Sequence, residues 1–202
     1  VTKKKKRRLI IGADEVGLGA LAGPVVVAAV VMDPDMTFPG LRDSKKVTAS
    51  DREWLNGRIK EDVLGWTIAG AHAKLIDQHG ISACRWYCLA MCVNECLKRY
   101  PEGRVIVDGN QLIAGIPKVH QEAIVKADDK FQAVSAASVI AKVHRDHMMV
   151  KLWQQYPNYD WKKNVGYGTK AHLTALHKYG VSPHHRRSYA PVKKQLEKEK
   201  SK

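Results

Sequence analysis

The order of apolar runs predicts an α/β domain built on a mixed sheet. Three observations carry that expectation. Two Val- and Ile-rich runs follow one another early in the chain, strand-like runs then alternate with long segments of helical spacing, and three of the runs stop on acidic residues. Hydrophobic residues fill 45% of the 202 positions and charged residues 27%. That balance excludes a disordered chain, a collagen-like chain and a small disulfide scaffold.

Taken in order, residues 9–16 read as a first strand, broken by Gly17 and Gly19. Residues 24–32, with Val25, Val26, Val27, Val30 and Val31, read as a second, fully buried strand. Residues 33–46 hold Pro34, Pro39, Gly40 and the polar run Asp43-Ser44-Lys45-Lys46, a loop signature. Residues 48–60 are expected to be helical, with Thr48 as N-cap and Asp51 three residues on. A third strand is expected over 63–73 and a long helix over 82–100, stopped by Pro101 and Gly103. Residues 104–107 form a compact strand ending at Asp108, and 122–127 another ending at Asp128 and Asp129. Helices follow over 133–155 and 171–179, the latter closed by Gly180, and the stretch after Ser182 is mostly polar.

Thirty-four Lys and Arg against 20 Asp and Glu give a net charge of +14, which points to a polyanionic partner. Residues 1–8 carry six basic side chains and no acid, and residues 183–202 carry a net +5, leaving only +3 on the body. Basic arms on a balanced body suit nucleic acid, and solvated terminal tails fit the same charges. The longest apolar run, residues 20–32, is too short to span a bilayer and contains Gly23 and Pro24. The basic start lacks the apolar stretch of a signal peptide, so an intracellular, cytoplasmic protein is expected.

Cys84, Cys88, Cys92 and Cys96 recur every fourth residue of the long helix. Twelve helical residues span about 18 Å, whereas thiolates sharing a zinc each lie about 2.3 Å from it. One helix cannot converge all four, so they read as reduced core residues. His144 and His147 have a zinc-compatible spacing but no partner to complete a site, and read as helix-surface histidines.

The chemistry lies with the acids. Open α/β sheets place ligands at the carboxyl ends of their strands, where Asp14, Glu15, Asp108 and Asp128 fall. Singly, each also fits a turn or helix cap. Converging, they cannot all ionise without a cation, and hard oxygen donors suit Mg²⁺ or Mn²⁺. Such acids form two-metal phosphodiesterase sites. Asp14 and Glu15 are neighbours and serve one site only if the strand is already ending, which Gly17 and Gly19 allow. Asp146 reads as a helix-surface partner of Arg145 or Lys142 rather than a ligand.

The run Gly12-Ala-Asp14-Glu15-Val-Gly17-Leu-Gly19-Ala-Leu-Ala-Gly23-Pro24 closely resembles the opening motif of ribonuclease HII, the type 2 ribonucleases H. The resemblance continues in family order through Asp43-Ser44-Lys45-Lys46, Val107-Asp108-Gly109-Asn110, Val125-Lys126-Ala127-Asp128, Ser135 to Asp146, Gly166-Tyr167-Gly168-Thr169 and His184-His185-Arg186-Arg187-Ser188. It covers residues 9–194.

What the resemblance implies is specific. The fold would be ribonuclease H-like, a five-stranded mixed sheet flanked by helices with a C-terminal helical segment. Residues 9–182 would form the catalytic domain, between a basic arm (1–8) and a basic tail (183–202). The activity would be endonucleolytic cleavage of the RNA strand of RNA–DNA hybrids, and of duplex DNA 5′ to an embedded ribonucleotide. Products would carry 5′-phosphate and 3′-hydroxyl ends. The enzyme would act as a monomer with Mg²⁺ or Mn²⁺ on Asp14, Glu15, Asp108 and Asp128. Substrate contacts would fall on Gly17, Leu18, Gly19, Ser44, Lys45, Lys46, Tyr167, Arg186 and Arg187, with Tyr167 stacking on a sugar and the basic side chains on phosphates. Leu18 stands where the family carries arginine, and Ala20 where it carries proline, so single-ribonucleotide incision is expected to be weakened. Two rival readings remain, another nuclease of the same fold and a catalytically silent nucleic-acid-binding protein.

Overall fold

The computed structural model describes residues 8–41 and 48–201. Five strands form one sheet: β1 (Ile10–Val16), β2 (Val25–Met32), β3 (Gly65–Ala71), β4 (Arg104–Asp108) and β5 (Gln121–Ile124). Their spatial order is β3-β2-β1-β4-β5. β1 runs parallel to β4, and β4 parallel to β5, within a mixed sheet of the expected α/β class. All eight residues of β2 are buried, which explains why it reads as an unbroken apolar run rather than an alternating one.

The helices are α1 (Ala49–Asp62), α2 (Ala73–His79), α3 (Ile81–Arg99), α4 (Gln132–Gln155), α5 (Trp161–Asn164), α6 (Lys170–Tyr179) and α7 (Ala190–Lys200). α1 starts as expected, with the Thr48 hydroxyl accepting the Asp51 amide at 3.2 Å. The Thr169 hydroxyl caps α6 in the same way, accepting from the His172 amide at 3.3 Å. Gly180, at φ 79°, closes α6. Among the described residues, no helix is long and apolar enough to cross a membrane.

The chain gathers into two compact units, and the segment read as one domain, 9–182, contributes to both. The first contains the chain up to Glu15, Val27–Ala69 and Leu89–Val143. Here α4 begins tightly against β1: a Cβ on Gly12 would stand 2.2 Å from the Ala133 carbonyl carbon, so only glycine allows the approach. The Thr67 hydroxyl donates to the Cys92 carbonyl at 3.1 Å, and Cys92 Sγ lies 3.8 Å from the Val27 carbonyl oxygen. All four cysteines are buried free thiols.

The second unit contains Val16–Val26, Gly70–Cys88 and His144–Lys202. One apolar cluster joins Ala22, Met149, Tyr159, Trp161 and Ala175, with the rings of Tyr159 and Trp161 stacked 4.9 Å apart. A second joins Leu21, Leu176 and Val192, flanked by Tyr189 and Leu196. Residues 183–202 therefore depart from the expected basic tail: they carry α7, and His185, Arg186 and Val192 are buried. Two apolar anchors, Val192 and Leu196, hold an otherwise charged helix, too weak a stripe to stand out in the sequence.

Candidate active site

The β1–β4 ladder ends at Ala13 opposite Val107. Asp14 and Asp108 come next, side by side at the carboxyl ends of two parallel strands. Although β1 runs on to Val16, its pairing with β4 has stopped before the two adjacent acids. Asp14 Oδ1 accepts the Glu15 amide at 2.8 Å, and the Ser138 side chain on α4 also hydrogen-bonds to the carboxylate. Burial outweighs both bonds. With the negative charges of Glu15 and Asp108 added, it pushes the Asp14 carboxyl from 3.8 up to about 7.

Asp108 is fixed by its Oδ1, which accepts the Ala127 amide at 2.9 Å. Asp128 does not sit at a strand end as expected. β5 stops at Ile124, Lys126 takes a left-handed conformation (φ 57°), and Asp128 lies in a 3₁₀ turn, Ala127–Asp129. The physical reason is the Asp108–Ala127 bond, which occupies an amide that a longer strand would have offered to the ladder. The Ser135 hydroxyl, at the start of α4, donates to the Asp128 carbonyl.

Asp14 thus lies beside Asp108 with Glu15 next along β1, and Asp128 is held on the turn bonded to Asp108. Among the described residues, no group of three Asp, Glu, His or Cys side chains is gathered closely enough to hold a metal ion as it stands. The donors nevertheless fit a hard divalent cation in chemistry: all are carboxylate oxygens, and their mutual repulsion is of the kind a cation relieves. His144 and His147 are exposed on α4, as expected.

The remaining candidates lie in the second unit. Gly17 is buried at φ 91°, and a Cβ there would stand 2.2 Å from Arg145 Nε. Gly19 is exposed, and a Cβ there would meet only Tyr167 Cε1, at 4.0 Å. Half-buried Leu18 has its carbonyl held by Arg186 Nη1 at 2.9 Å and by the Tyr189 hydroxyl at 2.5 Å. Arg186 is a correction to the expected phosphate contacts. It is fully buried, and its Nε donates to the Gly23 carbonyl at 3.0 Å, so it braces the loop from beneath. Arg187 is exposed, its amide donating to Asp77 Oδ2 at 2.9 Å. Ser44, Lys45 and Lys46 lie outside the described residues, as does the arm apart from Arg8.

Half-buried Tyr167 is tied down by a histidine relay that the sequence did not reveal. Trp161 Nε1–H donates to His172 Nε2 at 3.0 Å, so His172 Nδ1–H donates to the Tyr167 carbonyl at 2.9 Å. His185 Nε2–H donates to the same His172 nitrogen at 3.1 Å, while its Nδ1 accepts the Ser182 amide and hydroxyl. Both rings are neutral. Burial lowers His172, and burial with His172 and His184 nearby pushes His185 down to about 3. Arg145 is likewise fully buried, and Asp146 beside it is half-buried. The only sequence signal for Arg145 was its place in a motif, because its partners are carbonyls up to 123 positions away.

A five-stranded mixed sheet with acids at the ends of adjacent parallel strands defines the ribonuclease H-like class of α/β nucleases. The sequence profile of the ribonuclease HII family matches residues 11–192. The chain is 45% identical over 188 residues to the ribonuclease HII of Acinetobacter baylyi, covering 93% of this chain and 98% of that protein. It is 43% identical over 190 residues to the ribonuclease HII of Enterococcus faecalis, covering 94% and 72%. The crystal structure of ribonuclease H2 from Pyrococcus horikoshii OT3 superposes with a TM-score of 0.76 at 25% identity, over 96% of this chain and 100% of that one. Bst-RNase HIII in complex with Mn²⁺ shares the fold, with a TM-score of 0.75 at 19% identity over 96% and 71%. The chain belongs to the ribonuclease HII family, and its activity is that of a ribonuclease H, an endonuclease acting on nucleic acid.

Proposed function

We propose that this enzyme hydrolyses the RNA strand of RNA–DNA hybrids and incises duplex DNA on the 5′ side of an embedded ribonucleotide, leaving 5′-phosphate and 3′-hydroxyl ends. The observation that carries this reading is the Asp14 carboxyl, raised to about 7 beside Glu15 and Asp108 at the ends of two parallel strands. Carboxylates so placed ionise together only with a compensating cation. Asp14, Glu15, Asp108 and Asp128 would hold two Mg²⁺ or Mn²⁺ ions. When bound, such ions lower the pKa of water and offset the charge that gathers on the phosphate and the departing oxygen. The chain itself orients the acids beforehand: the Ala127 amide aims Asp108, and Ser138 with the Glu15 amide aims Asp14.

On the substrate side, exposed Gly19 offers main chain to a 2′-hydroxyl, the group that distinguishes RNA from DNA. The Tyr167 ring stacks on the sugar that follows. Arg187, Lys45 and Lys46 contact phosphates, Ser44 is a further substrate contact, and the six positive charges of residues 1–8 add attraction without sequence preference. Leu18 supplies no charged fork, so incision at a lone ribonucleotide is the weaker activity. The enzyme acts as a monomer, and its buried free thiols suit the cytoplasm.

Cleavage of a uniform hybrid, beside a duplex with one ribonucleotide, tests this after chelation and return of Mg²⁺ or Mn²⁺. Both substrates should be cut only with cation present, the second on the 5′ side of the ribonucleotide. Cleavage undiminished by chelation would overturn the metal assignment, and an intact second substrate would confine the enzyme to hybrids.

A further inference from the structure

We infer that Arg145 is a positioning residue: one buried guanidinium ties the loop of residues 17–24 to the turn of residues 165–167, so that the Gly19 main chain and the Tyr167 ring meet the substrate as a single fixed reader. The inference rests on the proposal that Gly19 and Tyr167 contact the ribonucleotide junction.

The geometry is that of a three-way clamp. Arg145 Nε donates to the Pro24 carbonyl at 2.8 Å, Nη1 to the Val165 carbonyl at 2.8 Å and Nη2 to the Ala22 carbonyl at 3.2 Å. Its guanidinium carbon lies 5.5 Å from the Tyr167 ring centroid. A planar fork reaches separate fixed acceptors from three nitrogens, whereas a lysine ammonium gathers its donors on one atom. The same two segments are joined a second time by the Gly166 carbonyl, which accepts the Leu21 and Ala22 amides at 2.8 and 3.2 Å.

Two strained or crowded positions show that the clamp sets local geometry rather than filling space. Val165 is a β-branched residue at φ 42°, a conformation such residues rarely hold, and its carbonyl is one of the three that Arg145 takes. Gly17 has no room for a side chain because Arg145 Nε and Cδ occupy the place of its Cβ. The first glycine of the Gly-Leu-Gly run is therefore required both by its positive φ and by the arginine behind it, and the second is the one left open. Burying an arginine for packing alone is poor design, since an apolar side chain of similar volume serves as well or better.

The test uses the full chain carrying Arg145→Lys or Arg145→Met. The quantity read is the ratio of kcat/KM on a single-ribonucleotide duplex to kcat/KM on a continuous hybrid. Both variants should lower that ratio at least tenfold, because a long hybrid offers many registers and a lone ribonucleotide only one. Partial unfolding lowers both activities by the same factor and leaves the ratio alone, so an unchanged ratio overturns the inference however far activity falls. For variants too slow to assay, the ratio of Kd values for the same two duplexes is read in its place. Tyr167→Ala separates the two levels. If it leaves the ratio unmoved, the proposed substrate face fails and the inference with it. If it shifts the ratio while the Arg145 variants do not, only the inference fails.

Discussion

The proposed chemistry and the proposed specificity turn on two residues four positions apart, Asp14 and Leu18. Asp14→Asn and Asp108→Asn each remove a charge with almost no change of volume. Cleavage should fall by at least about a hundredfold, since loss of even an outer-shell partner of a metal site costs about 10–100-fold. The melting temperature should not drop, and rate assays beside calorimetry check both. Leu18→Arg should raise single-ribonucleotide incision by roughly ten- to a hundredfold, the worth of a charge-assisted hydrogen bond of about 1.5–3 kcal/mol. The loop tolerates the exchange because Arg186 and Tyr189 hold Leu18 by its carbonyl, not its side chain. Acids were legible in the sequence because they interrupt apolar runs. Arg145 and Arg186 were not, because buried arginines bonded to distant carbonyls look like any surface base until the chain is folded.

Elements announced by their own ends were read correctly. Thr48 followed by Asp51 marks the start of α1, and Gly180 the stop of α6. Thr169→Ala should cost about 1 kcal/mol of stability through loss of the α6 cap, measurable as a lowered denaturant midpoint with unchanged slope. Residue His172 sits in that first turn, so the same change should also loosen the relay behind Tyr167 and slow cleavage. What was misplaced, as the end of β5 read at 127, or missed, as α2, lacks a local signature. β5 is only four residues long and is cut short by a side-chain bond from Asp108. α2, at seven residues, spans too few turns to show a period.

At the scale of the whole molecule, the buried His185 ring ties stability to pH. His185 titrates at about 3 when folded and near 6.5 when not. Between those values the unfolded chain binds a proton that the folded chain refuses, so the share of stability held by His185 is full above pH 6.5 and is lost as pH drops toward 3. The loss is on the order of 4 kcal/mol across that window. The raised Asp14 carboxyl works the other way, the folded chain taking up a proton between pH 7 and 4 that the unfolded chain does not. The loss is therefore read in Asp14→Asn: its urea midpoints should fall from pH 7 to pH 4, and His185→Gln added to it should flatten the slope. Net charge was legible as a pointer to nucleic acid, and the α/β class followed from the order of runs. The division into two units was not, because each is assembled from three separated stretches and no change of composition marks the joins.

The cysteine row gives this molecule a use beyond its chemistry. α3 contributes Cys84 and Cys88 to one unit and Cys92 and Cys96 to the other. Burial pushes the thiols of Cys84, Cys88 and Cys96 upward, which leaves them protonated and slow toward alkylating reagents while the fold is closed. A time course of alkylation, resolved by peptide mass, therefore times the opening of each unit on its own natural stopwatch, with no introduced label.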